Sequence, residues 1–263
     1  MTPPWQPEKT HQSLTAEFMS PDNNSPENSP DVPALAIEAK GLGRRYGRSW
    51  ALSHIDLDVP PGESLLLVGA NGSGKTTLLR LLAGTSLASA GDLKIFGFDR
   101  TRNRLECRRL VSMVSHENYL YDRLTAYETV RLWAKLLGYE PSDELVLSSL
   151  DEVALAERAH DATMTFSAGM KKRLTLVRTK LEMPRVVLLD EPMAALDAAG
   201  KELVCRWIDD HRNSGRTVVF SSHSVSRARQ VADRILHLER GQELWQGRPE
   251  EFSEHQLLGI EAS

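Results

Sequence analysis

The feature that most constrains this sequence is a glycine-rich run that fits the pattern G-x-x-x-x-G-K-[ST], and it reads Gly69-Ala70-Asn71-Gly72-Ser73-Gly74-Lys75-Thr76-Thr77. The apolar residues 64–68 precede this run, and the helical pattern of residues 77–82 follows it. The sequence therefore predicts a strand, a tight loop and a helix in direct succession. In this arrangement glycines let the backbone wrap around phosphate oxygens, where a side chain would block the approach.

The chemistry expected of this loop is nucleotide binding. Successive backbone N–H groups point at phosphate oxygens, and the positive end of the following helix adds to their field. Lys75 is placed to reach the β- and γ-phosphates, and the Thr76 hydroxyl can be a ligand of Mg²⁺. We therefore expect ATP and Mg²⁺ as cofactors. The alternative is a chance match in a glycine-rich turn, which the flanking strand and helix disfavour.

A second apolar run, residues 186–189, ends in the acidic pair Asp190 and Glu191. A buried parallel strand would place these carboxylates beside the bound phosphates. We expect Asp190 to belong to the Mg²⁺ shell and Glu191 to orient the attacking water as the catalytic carboxylate. A solvated acidic pair at the end of a strand is the alternative interpretation.

A histidine follows a third strand-like run, residues 217–220. This residue, His223, could contact the γ-phosphate and hold the water and Glu191 in register. A histidine after a strand is more often a structural or surface residue. Only the position of His223 downstream of the other motifs favours a catalytic role.

These motifs resemble those of the nucleotide-binding subunits of ABC transporters, over roughly residues 34–250. Phe166-Ser167-Ala168-Gly169-Met170 is similar to the signature of that family, Leu-Ser-Gly-Gly-Gln, and Ala194-Ala195-Leu196-Asp197 is similar to its D-loop. Tyr46 falls where the family stacks an aromatic ring on adenine, and His223 matches its switch histidine. The resemblance implies an ATPase whose fold, cofactors and partners are those of the family.

The resemblance further implies a clamp made of two nucleotide-binding subunits. Ser167, Ala168 and Gly169 would contact the γ-phosphate of ATP held by the partner subunit, and Asp197 and Tyr46 would complete the nucleotide site. ATP binding would close the homodimer or heterodimer, and hydrolysis would open it. Ser167 also begins a helical pattern, so its N-terminal amides are an anion site on physical grounds alone. For the three residues in isolation, an ordinary helix N-cap is the better interpretation.

Two departures from the family pattern concern the Q-loop and the signature. His116 stands at the usual Q-loop glutamine, where its imidazole could reach a water or the metal shell as a catalytic or metal-binding group. Met170 replaces the signature glutamine, and Ala168 replaces its first glycine. Ala168, His116 and the D-loop context Leu-Asp-Glu-Pro-x-x-Ala-Leu-Asp at residues 189–197 resemble those of one subgroup, the haem-exporter ATPases of cytochrome c maturation. The same substitutions also occur elsewhere in the family, so the chain could belong to this subgroup or to another part of the family.

The alternation of strand-like and helical stretches predicts an α/β fold, a P-loop NTPase with a mainly parallel sheet core. Residues 35–39 predict the first strand of an N-terminal antiparallel β layer, and residues 117–165 predict an inserted helical lobe. Residues 1–33 hold seven of the thirteen prolines and are expected to be a disordered tail. The ATP-binding domain is predicted to span residues 34–250, followed by a C-terminal tail, residues 251–263.

Composition and charge limit the classes of partner that the chain is expected to bind. The chain has 263 residues, with 32 basic and 36 acidic side chains, so its net charge of −4 gives no sign of a nucleic-acid surface. No run approaches the roughly 20 apolar residues of a membrane-spanning helix. We therefore expect a separate integral membrane permease as partner, with this chain peripheral on the cytoplasmic face of the cell membrane. Two cysteines without metal-binding spacing suit a reducing compartment.

The predicted helical lobe contains a capping box at Thr125-Ala126-Tyr127-Glu128, followed by an apolar helix face made of Val130, Trp133, Ala134 and Leu137 and a stop at Gly138. Residues 117–125 are the candidate surface for coupling to the permease, because Tyr119 and Tyr121 would suit an interface. An ordinary loop is an equally good interpretation of this segment.

The sequence predicts the ATP-hydrolysing subunit of an ABC transporter, with export favoured because no regulatory domain follows residues 235–241. The alternative is an ABC-type ATPase that serves DNA repair or translation. Ser167 lies 51 positions after His116, which leaves no room for the long coiled coil of chromosome-type members, and the single P-loop argues against the two-domain ribosome type. A P-loop kinase or a switch GTPase would leave residues 166–170 and 194–197 unexplained.

Overall fold

A computed structural model describes residues 35–115, 120–223 and 225–253. The described strands are β1 Ile37–Tyr46, β2 Ser49–Val59, β3 Ser64–Val68, β4 Ala90–Ile95, β5 Phe98–Asp99, β6 Val111–Val114, β7 Val186–Leu189, β8 Thr217–Ser221, β9 Arg234–Glu239 and β10 Gln242–Gly247. The described α-helices are α1 Lys75–Ala83, α2 Arg104–Leu110, α3 Ala126–Leu136, α4 Asp143–Glu152, α5 Ala168–Glu182, α6 Ala198–Asn213 and α7 Val225–Ala228. Four short 3₁₀ turns complete the regular structure of these residues.

Strands β1, β2, β4 and β5 form the antiparallel layer that the sequence predicts at the N-terminal side. Their order is β2-β1-β4-β5, and β1 pairs antiparallel with both β2 and β4. The first predicted strand is therefore confirmed, although β1 continues to Tyr46. The long β1–β2 hairpin places Tyr46 at its tip, where Tyr46 pairs with Ser49.

The other six strands form the mainly parallel sheet, in the order β10-β9-β3-β8-β7-β6. Strand β3 is parallel to β8 and β9, β7 is parallel to β6 and β8, and β10 joins the edge antiparallel to β9. The predicted strands at residues 64–68, 186–189 and 217–220 are confirmed as the central β3, β7 and β8. The predicted α/β fold is confirmed as well.

Alternation along the central strands explains why these segments are continuous apolar runs. Leu66 and Val68 of β3 face a core that also holds α5 and α6 side chains such as Leu174 and Ile208. Leu65 and Leu67 face a second core, which is shared with the antiparallel layer and α1. Because both faces of the sheet are covered, a polar residue in these strands would lie in a core.

The helical lobe contains α3 and α4. The predicted capping box is present, because the Thr125 side chain accepts from the Glu128 N–H while the Glu128 carboxylate accepts from the Thr125 N–H. Val130 and Ala134 are fully buried, as the predicted helix face requires. Leu137, predicted on the same face, is 44% exposed because the helix ends at Leu136 and the chain has begun to turn away.

Core packing continues past the predicted domain boundary at residue 250. Phe252 is buried, and its ring meets the ring of His237 edge-on, with 5.8 Å between centroids. The predicted tail at residues 1–33, His116, Tyr119 and the last ten residues lie outside the described part of the chain. Within the described ranges, no helix is both long and apolar enough to cross a membrane.

Candidate functional site

The site lies where three adjacent parallel strands end. The strand order places β3 next to β8 and β8 next to β7, with Leu67 of β3 paired to Ser221 and Leu189 of β7 paired to Phe220. The segments that follow these strands are the glycine-rich run, the acidic pair and the His223 loop. Parallel strands carry their C-terminal extensions at one edge of the sheet, so three motifs that are distant in sequence meet there.

Three glycines of the glycine-rich run, Gly69, Gly72 and Gly74, have a positive φ, and at two of them a Cβ would also clash with neighbouring atoms. Gly69 has φ 143°, and a Cβ there would clash with the carbonyl of Leu238 and lie 2.6 Å from Ser73 Oγ. Gly74 has φ 112°, and its Cβ would lie 2.9 Å from the carbonyl of Ala51. The loop is therefore held against β2 and β9, and it turns directly into α1 at Lys75.

Lys75 and Ser73 are the buried polar groups of this loop. The Lys75 ammonium donates to the carbonyls of Gly69 at 2.7 Å and Ala70 at 3.1 Å. Burial lowers the pKa of Lys75, and the charges of Glu191 and its neighbouring aspartate oppose that shift. Ser73 Oγ is buried and has no hydrogen-bond partner among the described residues. A loop that gathers buried donors around its own backbone is suited to an anionic ligand.

Asp190 is the centre of a hydrogen-bond network at the end of β7. It is only 2% exposed, and its backbone N–H donates to the Val114 carbonyl of β6 at 2.9 Å. The Thr76 hydroxyl lies 2.9 Å from Asp190 Oδ2, and the Ser221 hydroxyl lies 2.8 Å from Oδ1. Hydroxyl and carboxylate oxygens are the ligands that Mg²⁺ prefers, so the adjacent side chains of Thr76 and Asp190 fit a magnesium ion.

Glu191 has a left-handed backbone, with φ 50°. Its N–H donates to Ser221 Oγ at 2.8 Å, and its carbonyl accepts from Lys172 Nζ and, at 3.1 Å, from the Ala194 N–H. Its carboxylate Oε2 lies 2.9 Å from His223 Nδ1 and accepts from the His223 N–H at 3.3 Å. The structure therefore brings together the predicted carboxylate and the predicted histidine.

The residues of the signature-like motif lie on a different loop. Ser167 is the N-cap of α5, and its side chain accepts from the Met170 N–H at 3.2 Å. A Cβ on Gly169 would lie 3.3 Å from the Ala195 carbonyl and 3.0 Å from Leu196 Cδ2, so this turn packs against the D-loop-like segment. Ala168 is the first residue of α5. The predicted helix start is confirmed.

Asp197 and Tyr46 have local roles in this chain. Asp197 is the N-cap of α6 and accepts from the Gly200 N–H at 2.8 Å. Tyr46 is 48% exposed, and the Arg44 guanidinium lies over its ring at 4.6 Å from the centroid. The structure thus unites the P-loop, the acidic pair and His223, whereas the contacts described for Tyr46, Asp197 and the signature-like residues are with other segments of the chain. His116 is not in the described part of the chain.

Sequence reasoning missed two residues of the site, Ser221 and Lys172. Ser221 is the last residue of β8, so the strand-end rule that located Asp190 and His223 could have identified it. Lys172 is only 5% exposed and lies on the inward face of α5 together with Leu176 and Thr179. The spacing of those three residues is helical and was the available signal.

Comparison with known proteins gives a family assignment. A family model described as ABC transporter matches residues 52–194. The glutamine transport ATP-binding protein GlnQ of Escherichia coli is 31% identical over 220 residues, covering 81% of this chain and 92% of that protein. The sulfate/thiosulfate import ATP-binding protein CysA of Bacillus cereus is 34% identical over 228 residues, covering 84% of this chain but only 64% of that protein. The Nod factor export ATP-binding protein I of Rhizobium etli is 28% identical and covers 92% of this chain and 77% of that protein.

Solved structures agree with this fold. A structure described as an ATP-binding subunit of an ABC transporter superimposes with a TM-score of 0.75 at 25% identity, covering 86% of this chain and 98% of the other. The dimeric ATP-binding cassette MJ0796 bound to ADP and Pi superimposes with a TM-score of 0.74 at 24% identity, covering 82% of this chain and all of the other. With the P-loop, the acidic pair and the histidine joined at one sheet edge, the chain belongs to the ABC transporter family as an ATP-binding subunit that hydrolyses ATP.

Proposed function

We propose that this chain is one half of an ATP-driven clamp that energises a membrane permease, and that its own P-loop, Asp190, Glu191 and His223 bind and hydrolyse one ATP. The observation that carries the proposal is the 2.9 Å separation of Glu191 Oε2 and His223 Nδ1. The preceding residue, Asp190, is in turn hydrogen-bonded to Thr76 of the P-loop. A carboxylate oriented by a neighbouring imidazole can hold a water for attack on phosphorus.

Binding of the nucleotide is assigned to the residues of the glycine-rich run. The N–H groups of residues 69–77 bind the phosphate oxygens, and the Lys75 ammonium exchanges its bonds to two loop carbonyls for bonds to the β- and γ-phosphates. Thr76 and Asp190 would hold Mg²⁺, which when bound neutralises charge on the phosphate oxygens. Tyr46 would stack on adenine, and its large exposed fraction leaves a ring surface for that contact.

Catalysis is assigned to Glu191 and His223. Glu191 accepts a hydrogen bond from the attacking water, which aligns a lone pair of the water oxygen with the γ-phosphorus. His223 holds the Glu191 carboxylate at one oxygen, Oε2, so the other oxygen is available for the water. His116 lies outside the described residues, and we keep for it the role of a contact to the water or the metal.

The clamp requires a second copy or a related subunit. Ser167, Ala168 and Gly169 begin a 15-residue helix, whose N-terminal amides attract an anion. Within this chain the turn packs against residues 195–196. We assign these residues and Asp197 to the γ-phosphate side of an ATP held by the partner subunit. The dimeric form of MJ0796, with ADP and Pi bound, supports this arrangement.

The membrane side of the clamp is assigned to residues 117–125 on the cytoplasmic face. Within the described part of that segment, Tyr121 is 64% exposed. Met164 lies on the adjoining segment, where its N–H donates to the Asp122 carbonyl at 3.0 Å, and its side chain is also 64% exposed. Two large exposed apolar side chains on adjoining segments suit a docking surface for a permease loop.

Export is the direction we propose. The relatives include import proteins for glutamine and sulfate/thiosulfate and an export protein for Nod factor, so both directions occur at this level of similarity. The finer assignment to haem export for cytochrome c biogenesis rests on Ala168, His116 and the D-loop context of residues 189–197.

One experiment tests the transport role. The Glu191→Gln protein is isolated with ATP from native membranes, and the proteins that accompany it are identified. A multi-spanning permease is the expected partner, and one of the haem-export type would support the subgroup. The control is the Lys75→Ala, Glu191→Gln double variant, which should not retain the permease in an ATP-dependent manner. Recovery of a soluble partner instead would favour the DNA repair or translation class.

A further inference from the structure

Lys172 is a buried cation beside the proposed catalytic carboxylate. It lies on α5, five residues after the N-cap Ser167, and it is only 5% exposed. Its ammonium donates a hydrogen bond to the backbone carbonyl of Glu191. Burial lowers the pKa of Lys172, and the charges of Glu191 and Asp190 oppose that shift. A lysine is rarely this buried without a specific partner, and here the partner is the peptide group of the reacting loop.

The hydrogen bonds on both sides of Glu191 explain how its backbone is held. With φ 50°, Glu191 has a conformation that is unfavourable for a residue with a Cβ. Ser221 Oγ accepts from its N–H at 2.8 Å, while Lys172 and the Ala194 N–H donate to its carbonyl. Both peptide groups that flank the Glu191 Cα are therefore fixed, and this directs the side chain towards His223.

The same helix connects Glu191 to the signature-like turn. Gly169 packs against Ala195 and Leu196, and three residues later Lys172 contacts Glu191. The first two turns of α5 therefore run along the loop from Glu191 to Leu196. Any movement of the α5 N-terminus would move the donor that fixes the Glu191 carbonyl.

We propose that Lys172 is a positioning residue for ATP hydrolysis: its ammonium fixes the Glu191 peptide and makes the orientation of the Glu191 carboxylate depend on the position of α5. The inference rests on the proposed role of Glu191. The N-terminal end of α5, which would contact the phosphate held by the partner subunit, and the Glu191 carboxylate of this chain's own site then belong to one rigid unit. Phosphate binding at the end of α5 therefore changes the geometry around Glu191.

Substitutions at Lys172 and Lys171 separate this role from simple packing. Lys172→Met keeps the length and removes the donor, whereas Lys172→Gln keeps a neutral donor. The control is Lys171→Met, since the Lys171 ammonium instead reaches the Asp122 carboxylate at 3.2 Å on the outer side of the same turn. We expect Lys172→Met to lower kcat by about 10²-fold while KM for ATP changes less than about threefold, because the interaction acts on the reacting water and not on nucleotide binding.

Lys172→Gln should recover at least about tenfold of that loss, since a hydrogen bond rather than a charge is required. Lys171→Met should stay within about twofold of the unmodified chain, since it alters only an exposed ion pair. If Lys172→Met does not fold, Lys172→Gln and Lys172→Arg are compared by the same kcat and KM measurement. A rise in KM with unchanged kcat would overturn the proposal, because Lys172 would then bind nucleotide.

A double variant tests whether Lys172 acts through Glu191. Once Glu191→Gln has removed the carboxylate, adding Lys172→Met should leave the residual hydrolysis rate unchanged. A further loss of about 10²-fold in the double variant would mean that Lys172 acts independently, and the proposal would be wrong. If Glu191→Gln alone keeps full activity, the proposed function itself fails, and this outcome is distinct from a failure confined to Lys172.

Discussion

The Ser221 hydroxyl donates to Asp190 Oδ1 at 2.8 Å, across the boundary between β8 and β7, and so joins the ends of two parallel strands. The same oxygen accepts from the Glu191 N–H at 2.8 Å. A single buried hydroxyl therefore orients both carboxylates of the acidic pair, one through its side chain and the other through its backbone.

Ser221→Ala should reduce both stability and hydrolysis. The substitution leaves the part-buried Glu191 N–H without its acceptor, which costs about 1–3 kcal/mol of unfolding free energy. Urea unfolding measures the stability, and a phosphate-release assay measures the rate. Ser148→Ala is the control, since this exposed hydroxyl bonds only to the Leu145 carbonyl on α4. Equal unfolding free energies for Ser221→Ala and the unmodified protein would contradict the network described here.

Thr76→Val should raise the Mg²⁺ concentration needed for half-maximal hydrolysis. The substitution preserves the shape of the side chain but removes the hydroxyl that lies 2.9 Å from Asp190 Oδ2. Loss of one proposed oxygen ligand, and of its bond to the other proposed ligand, is expected to weaken metal binding by about 10–100-fold. Thr76→Ser keeps the hydroxyl and should remain close to the unmodified protein. A Mg²⁺ titration of hydrolysis that superimposes for all three proteins would remove Thr76 from the metal site.

His223→Ala should slow hydrolysis with little effect on nucleotide binding. The imidazole holds Glu191 Oε2 at 2.9 Å, so its removal frees the carboxylate to rotate, and we expect a loss of about 10²-fold in kcat. Equilibrium binding of a fluorescent ATP analogue provides the second readout. His54→Ala is the matched control because His54 is an exposed histidine on β2. Loss of nucleotide affinity equal to the loss of rate would assign His223 to binding instead.

The buried residue His211 should make the free energy of unfolding decrease in acid. It is buried against Trp207, with ring centroids 3.6 Å apart, and burial lowers its pKa from 6.5 to about 4. The folded chain therefore binds fewer protons at His211 than the unfolded chain between these two pH values, so stability falls as pH falls. The contribution is complete above pH 6.5 and lost near pH 4, and amounts to roughly 3 kcal/mol at most.

The measurement is the difference in unfolding free energy between pH 7.5 and pH 4.5. His211→Gln, which remains neutral, should show a smaller difference than the unmodified protein, whatever its absolute stability. An identical difference in the two proteins would show that His211 does not titrate between the folded and unfolded states.

Much of the site follows from sequence because its parts obey local rules. The glycine pattern specifies the loop before α1, and apolar runs that end in polar residues specify the edge where Asp190 and His223 meet. Ser167 and Thr125 were identifiable as helix N-caps for the same reason. Each of these signals lies within about ten residues of the chain.

The contacts that sequence did not predict join distant segments. Lys172 and Glu191 are 19 positions apart, and Ser221 and Asp190 are 31 apart, so only the packing of α5 and β8 on β7 brings them together. Phe252 is buried beside His237 although its own segment lacks an apolar pattern. Leu137 illustrates the opposite error, since a correct helical periodicity was extended one residue past the end of α3.

The most direct test of the clamp is the mass of the Glu191→Gln protein measured by light scattering with ATP and Mg²⁺, compared with the same protein without nucleotide. We expect a monomer without nucleotide and a dimer with ATP, because the proposed phosphate contacts of residues 69–77 and 167–169 remain while the attacking water loses its acceptor. The Lys75→Ala, Glu191→Gln double variant should stay monomeric in both conditions. A Glu191→Gln protein that binds ATP and remains monomeric would contradict the proposed clamp.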